Sequence, residues 1–398
     1  MTTPNIFIVA AKRTPFGAFG GKLKHLTANE LGGLASKAAL ADLPADTKVD
    51  SVIFGNVSQT SNDAAYLARH VGHRAGLPVE TPALTINRLC GSGFQAVINA
   101  AHEIIAGESH VVLTGGSESM SQAPYALRDL RWGTRYGVDL KGEDTLAAAL
   151  VDRYPTVTPM GITAENLAKQ YNISRKDCDE YAMQSQQRWA AAQASGAFSA
   201  EITPVEVPGK KRGTFESLTT DEHPRPQSTV ESLTKLPSVF IKNTGTVSAG
   251  NASGIADGAA AVVVASEQAV KAKNLKPLAR VVSWHVVGVE PTLMGIGPVE
   301  AIKGALAKAK LELKDMDLVE VNEAFAAQYL AVAKELGIDN AKSNLNGGAI
   351  ALGHPLAASG SRILGHLAHA LAAGKGKYAI GSACIGGGQG IAVILERV

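Results

Sequence analysis

The chain has 398 residues, more than one ordinary core accommodates, so two or more domains are expected. Its residues are 45% hydrophobic and 19% charged, which excludes a disordered chain, and the formal net charge of +2 makes no electrostatic case for nucleic acid or a membrane surface. Three cysteines in so long a chain make no disulfide framework and fit reduced thiols in an intracellular compartment; the longest apolar run, near 259–265, is strand-sized and too short to span a bilayer.

Met1-Thr2-Thr3-Pro4 leads into Ile6-Phe7-Ile8-Val9, the expected first core strand, with no secretory or transit pattern ahead of it. Residues 12–17, Lys-Arg-Thr-Pro-Phe-Gly, read as a turn or loop. Helical spacing follows over 28–43, a strand over 50–57, and a helix over 64–71 ended near Gly72. The short apolar run 82–86 reads as a buried strand and 95–105 as a helix, so Cys90 falls where strand turns into helix. Residues 110–116 are the next strand, and the alternation argues for a layered α/β domain. From about Ser121 the pattern becomes irregular: helices over 163–170 and 175–194, the second with Ser174 as N-cap, then a basic connection over 205–214. Residues 122–250 are therefore read as an inserted loop domain. Residues 1–121, completed by 251–275, form an N-terminal half, and 276–398 form a C-terminal half. The halves share a plan. Residues 314–323 parallel 48–56, the turn at His354 parallels that at Cys90, and 377–381 parallel 111–115, as an internal duplication would produce.

A lone cysteine among apolar residues is usually a core thiol. Cys90 differs by its place in Asn87-Arg88-Leu89-Cys90-Gly91-Ser92-Gly93. There a helix start favours a thiolate, and Gly91 and Gly93 are expected to leave the backbone open to a substrate. The C-terminal third adds Gly353-His354-Pro355 and Cys384-Ile385-Gly386-Gly387-Gly388, each in a glycine-rich turn beside an apolar run. Cys and His in glycine-rich turns far apart in sequence are what a thiol enzyme supplies when folding joins them. Duplicated halves would place His354 opposite Cys90. Cys178 has no histidine near it and is read as structural; His70 and His73 sit on or beside a helical pattern as packing or solvent-facing residues.

These stretches resemble the thiolases, together with Gly115-Gly116-Ser117-Glu118-Ser119-Met120-Ser121, Asn251-Ala252-Ser253-Gly254, Asn322-Glu323-Ala324-Phe325 and Gly347-Gly348-Ala349-Ile350-Ala351-Leu352. Residues 12–17, 119–125 and 185–189 are most similar to the degradative, mitochondrial branch that cleaves 3-ketoacyl-CoA in fatty-acid β-oxidation. The resemblance implies the duplicated five-layered αβαβα thiolase fold, with the loop domain over the site holding coenzyme A. It places the nucleophile on Cys90, the activating histidine on His354, the acid/base cysteine on Cys384 and a water-holding asparagine on Asn322. An acyl-enzyme oxyanion would sit at the backbone N–H groups of Cys90 and Gly386. Coenzyme A contacts fall on Arg225, Ser228 and Ser253, with Met160, Met294, Ala324 and Phe325 lining the acyl and pantetheine channel. Coenzyme A and acyl-CoA are then substrates, no bound cofactor or metal is needed, and the implied assembly is a homotetramer, a dimer of dimers, in the mitochondrial matrix. Arg128, Arg131 and Arg135 are candidates for its phosphates, whereas Lys210, Lys211 and Arg212 read as a solvated face. The alternative is mainly acetoacetyl-CoA thiolase activity. Biosynthetic members of the family carry a histidine just before the position of Met160; here it is Pro159, which removes a polar wall.

Overall fold

The computed structural model describes residues 5–209 and 211–398, so Met1 to Pro4 and Lys210 lie outside the described residues. The main strands are β1 (Ile6–Arg13), β2 (Ser51–Gly55), β3 (Ala83–Ile86), β4 (Val111–Ser119), β5 (Ala256–Ser266), β6 (Ala279–Gly288), β7 (Leu318–Val321), β8 (Tyr378–Ile385) and β9 (Gln389–Glu396). With the two-residue strand Gly17–Ala18 they form one 10-stranded sheet in the order β7-β8-β9-β6-β1-β5-β4-β2-β3. Every residue of β4 and β5 is buried, which is why both read as continuous apolar or small-residue runs.

The duplication is visible in this ladder. Outward from the seam, β1 pairs antiparallel with β5, β5 antiparallel with β4, and β4 parallel with β2. In the other half β6 pairs antiparallel with β9, β9 antiparallel with β8, and β8 parallel with β7. A parallel bridge between Val319 and Ser343 stands where β3 stands in the first half. The seam is antiparallel, with Ile6 opposite Val281, Phe7 opposite Arg280 and Ile8 opposite Ala279. Helices α1 (Ala28–Ala41) and α2 (Leu67–Arg74) cover one outer face, and α6 (Gly297–Ala309) covers the other. Between the half-sheets run α3 (Ser92–Ala106) and α8 (Leu356–Ala372), giving the expected five layers. Phe94, Val97, Ala101, Ile363, Leu364 and Leu367 form the core of this middle layer.

Local chemistry accounts for the boundaries. Thr27 and Glu30 make a reciprocal capping box that starts α1, and Gly107, at φ +77°, ends α3 in a left-handed cap. Between 122 and 250 lie α4 (Met160–Tyr171), α5 (Arg175–Ala194) and short strand pairs. Ser174 caps α5 as expected, its hydroxyl accepting from Asp177 N. Among the described residues the short strands pair only with one another, 125–127 with 142–144, 151–152 with 158–159, and 205–208 with 215–218. Helix α7 (Ala326–Leu336) packs against α4 and α5 and joins this segment to the core.

Three expectations are corrected. Lys12 and Arg13 continue β1 and are not a turn, because the Arg13 guanidinium is buried against Glu201 and Asp221, each at 2.7 Å. Strand β3 is an edge strand and not a buried one; with β2 on one side only, Leu84 is 48% exposed. The connection over 205–214 begins with a strand, Val205–Pro208, which pairs with Phe215–Leu218; Val205 and Val207 point inward while Glu206 and Pro208 face out.

Candidate active site

The site begins with a helix crossing. A Cβ on Gly93 would lie 2.4 Å from Ser361 N, and one on Gly360 would lie 2.5 Å from Phe94 N. Only glycine lets α3 and α8 pass backbone to backbone. The crossing brings the two helix starts together, and Cys90 and His354, just ahead of those starts, line one cavity of about 480 Å³ with Cys384 from the end of β8. The glycines beside Cys90 therefore do something other than open the backbone to substrate. A Cβ on Gly91 would strike Ile385 Cδ1 at 2.4 Å, so Gly91 and Gly93 are small in order to admit the C-terminal half.

The Cys90 turn is clamped by its neighbours. Asn87 Oδ1 accepts from Leu89 N at 2.9 Å, Ser92 Oγ accepts from Arg88 N at 2.9 Å, and Leu89 is held at φ +47°. The backbone N–H groups of Gly386 and Cys90 point at the Cys90 sulfur and favour its thiolate. Burial wins over them and pushes the thiol up to about 11, with Glu118 adding to the rise. The helix start therefore does not supply a standing thiolate, because desolvation exceeds the help of the two N–H groups.

His354 is buried and enters the turn by donating its N–H to Gly254 O at 2.8 Å. Its Nδ1 lies 2.6 Å from Ser359 Oγ, and that hydroxyl donates to Pro355 O at 3.2 Å. This chain assigns the ring proton to Nδ1 and leaves Nε2 with its lone pair, 3.4 Å from Asn322 Nδ2. Burial pulls the imidazole down to about 4, and the charge of Arg362 pulls the same way. Asn322 is fixed by donating its N–H to Ser382 O at 2.9 Å; its buried Oδ1 has no protein partner among the described residues. Cys384 is buried among Met294 and Ala324, and burial, then Cys90, pushes its thiol far above the ordinary range. At neutral pH the three groups rest uncharged: two thiols, and an imidazole able to accept a proton.

Met160, Met294, Ala324, Phe325 and Ser253 all line the cavity. Ser253 is held by its N–H donating to Ala324 O at 3.0 Å. Arg225 and Ser228 are not brought to the cavity. They share a loop outside it, where Arg225 Nη1 donates to the carbonyls of Glu222, His223 and Pro224 at 3.0, 2.8 and 3.0 Å. Arg128 pairs with Glu143 at 2.6 Å, Arg131 and Arg135 do not line the cavity, and Lys211 and Arg212 are exposed between Val205–Pro208 and Phe215–Leu218. Cys178 is buried in the cluster around α4, α5 and α7, its thiol pushed up to about 12 by burial, a core residue as read. His70 bonds to Asp63 at 3.0 Å and packs on the Tyr66 ring. Sequence reasoning missed Ser359, for which a hydroxyl in the first helical turn after Gly-His-Pro was the available signal. It also missed the apolar wall of Leu150, Val239 and Phe240, which carries no motif.

The N-terminal and C-terminal domain models of thiolase match residues 6–268 and 275–397. The chain is 62% identical over 392 residues to the mitochondrial 3-ketoacyl-CoA thiolase of Homo sapiens, covering 98% of each chain. It matches the crystal structure of human mitochondrial 3-ketoacyl-CoA thiolase in complex with CoA at a TM-score of 0.96 and 61% identity, covering 100% of this chain and 98% of that one. It matches the Bacillus anthracis acetyl-CoA acetyltransferase at a TM-score of 0.94 and 43% identity, covering 100% and 99%.

Proposed function

The chain belongs to the thiolase family and is an acyltransferase, and from that premise we propose that it cleaves 3-ketoacyl-CoA with coenzyme A, giving acetyl-CoA and an acyl-CoA shortened by two carbons. The observation that carries this is the convergence of Cys90, His354 and Cys384, all uncharged at rest, in one apolar cavity.

Cys90 attacks the 3-keto carbon as His354 Nε2 takes its proton. The bond between C2 and C3 breaks, and the electron pair leaves as the enolate of acetyl-CoA. Its oxygen is stabilised by His354, now protonated, and by a water on Asn322, whose unpartnered Oδ1 supports that role. Cys384, a thiol at rest, gives its proton to C2, and acetyl-CoA departs. The acyl group remains on Cys90 as a thioester, its carbonyl oxygen facing the N–H groups of Cys90 and Gly386. The Cys384 thiolate then deprotonates a second coenzyme A, whose sulfur attacks the thioester and expels the Cys90 thiolate, which recovers its proton from His354. The scheme is ping-pong, and run backwards it makes acetoacetyl-CoA.

Pro159 and the apolar wall of Leu150, Val239 and Phe240 favour longer acyl chains over a mainly acetoacetyl-CoA activity. The coenzyme would enter past Ser253 and reach Arg225 and Ser228 with its nucleotide end, under a loop domain we assign to 122–250. Exposed aromatic residues on the segment 131–144, Trp132 at 90% and Tyr136 fully, support its use as a tetramer contact, to be tested by light scattering. The mitochondrial relatives support a mitochondrial location, which fractionation tests.

The test is coenzyme A-dependent loss of the magnesium-stabilised 3-ketoacyl-CoA absorbance over a chain-length series. Loss at medium and long chains is the expected result; binding without loss would make the protein a carrier.

A further inference from the structure

Glu118, near the end of β4, is fully buried, yet no step above uses it. Its Oε1 accepts from Val57 N at 2.5 Å and Asn56 Nδ2 at 3.4 Å, and its Oε2 accepts from Ser58 N at 3.2 Å. The backbone N–H of Ala357 also favours the charged form of the carboxylate. Helix α8 starts at Leu356 after Pro355 and has no side-chain cap, so Ala357 N–H is one of the donors a helix start leaves unpaired. Glu118 presents its carboxylate to that helix start from a different element, at the positive end of the helix dipole. The same strand face meets the same residue a second time: a Cβ on Gly116 would stand 1.9 Å from Ala357 O.

The other contacts lead to the nucleophile. Asn56 N donates to Ile86 O at 3.1 Å, and Asn87 Nδ2 donates to Val57 O at 3.4 Å. The loop that Glu118 holds therefore backs the strand and turn that carry Cys90. We propose that Glu118 is a positioning residue for this active site, one carboxylate that holds the loop behind Cys90 by hydrogen bonds and faces the close-packed first turn after His354, and so sets the spacing of base and nucleophile. This rests on the reading of Cys90 as nucleophile and His354 as base. The placement has an electrostatic side: burial pushes Glu118 up to about 7, and its charge raises the thiol of Cys90, which also faces Cys384 and His354 in the cavity.

Glu118→Gln keeps the size, removes the charge and replaces one accepting oxygen by a donor facing N–H groups. The expected result is a ~10²-fold fall in kcat, the cost of a misplacement near 1 Å, with KM for coenzyme A within about threefold. The pH curve for iodoacetamide alkylation of Cys90 moves to lower pH as the negative charge leaves. Glu118→Asp, which keeps the charge and withdraws it, loses kcat and keeps the wild-type alkylation curve. If Glu118→Gln does not fold, Glu118→Asp decides through kcat against KM. Wild-type kcat in the folded variant overturns the proposal, as does a kcat loss in Glu118→Gln with an unmoved alkylation curve. Failure of both variants to fold assigns Glu118 to the fold alone and also overturns it. Acyl trapping on the unaltered enzyme keeps the two readings apart: an acyl mass elsewhere than Cys90 removes the nucleophile assignment whatever the Glu118 variants do.

Discussion

The two halves of this molecule repeat one scaffold and carry different chemistry. Each pairs its strands in the same pattern and sends one helix into the middle layer, α3 or α8. Ahead of α3 stands a thiol that burial pushes up to about 11; ahead of α8 stands an imidazole that burial pulls down to about 4. The shifts are opposite in sign and have one cause, because a buried site favours the neutral form of an acid and of a base alike. The duplication supplies the place, and a few side chains supply the roles. The difference teaches that the site holds no standing ion pair and creates charge only when a substrate oxygen can receive it.

Substitutions sharpen that contrast. Cys90→Ser should remove acyl-enzyme formation and thiolysis together, a loss of at least about 10³-fold in kcat/KM, since the covalent step has no substitute. Cys384→Ser should lower cleavage and exchange of the acetyl-CoA methyl protons with deuterated water by ~10²–10⁴-fold, while Cys90 stays open to acylation from a simple acyl-CoA. Serine is nearly isosteric, so lost packing cannot account for such a fall; wild-type exchange would reduce the second glycine-rich turn to structure.

The resting charge state makes a pH prediction. With the thiol raised to about 11, the thiolate fraction of Cys90 is small at pH 8, and alkylation should climb about tenfold per pH unit without levelling below pH 9. With the imidazole lowered to about 4, His354 stays unprotonated down to roughly pH 5, so kcat should hold through about pH 5 and fall below it. An alkylation midpoint at or below pH 7 would reveal a standing thiolate–imidazolium pair and break the comparison. The smallest effect is expected outside the cavity. Arg225→Ala should raise KM for coenzyme A by less than about tenfold and leave kcat unchanged, because its guanidinium is turned onto its own loop.

Legibility in the sequence follows the same physics. The duplicated α/β plan could be read because strands such as β4 and β5 are buried throughout and show as unbroken apolar or small-residue runs. Cys90, His354 and Cys384 could be read because each lies in a glycine-rich stretch beside such a run, although Cys384 proves to be the next-to-last residue of β8 and not part of the turn. What stayed hidden depends on partners distant in the chain. Lys12-Arg13-Thr14-Pro15 reads as a turn, yet Arg13 belongs to a strand because its carboxylate partners lie 188 and 208 residues away. Gly93 reads as an opening for substrate, yet it is the contact that lets Ser361 approach. Glu118 reads as one polar residue among serines, and only the fold shows that it reaches the turns of both halves. Strand β3 reads as buried because a short apolar run does not report that a sheet ends there.

The claim that joins these parts is that the N-terminal half carries the covalent step and the C-terminal half the proton steps. Incubating the enzyme with a 3-ketoacyl-CoA and no added coenzyme A, quenching, digesting and mapping the acyl mass tests it most directly. The account predicts the acyl group on the peptide containing Cys90. An acyl group on Cys384 or Cys178, with Cys90 unmodified, would contradict it.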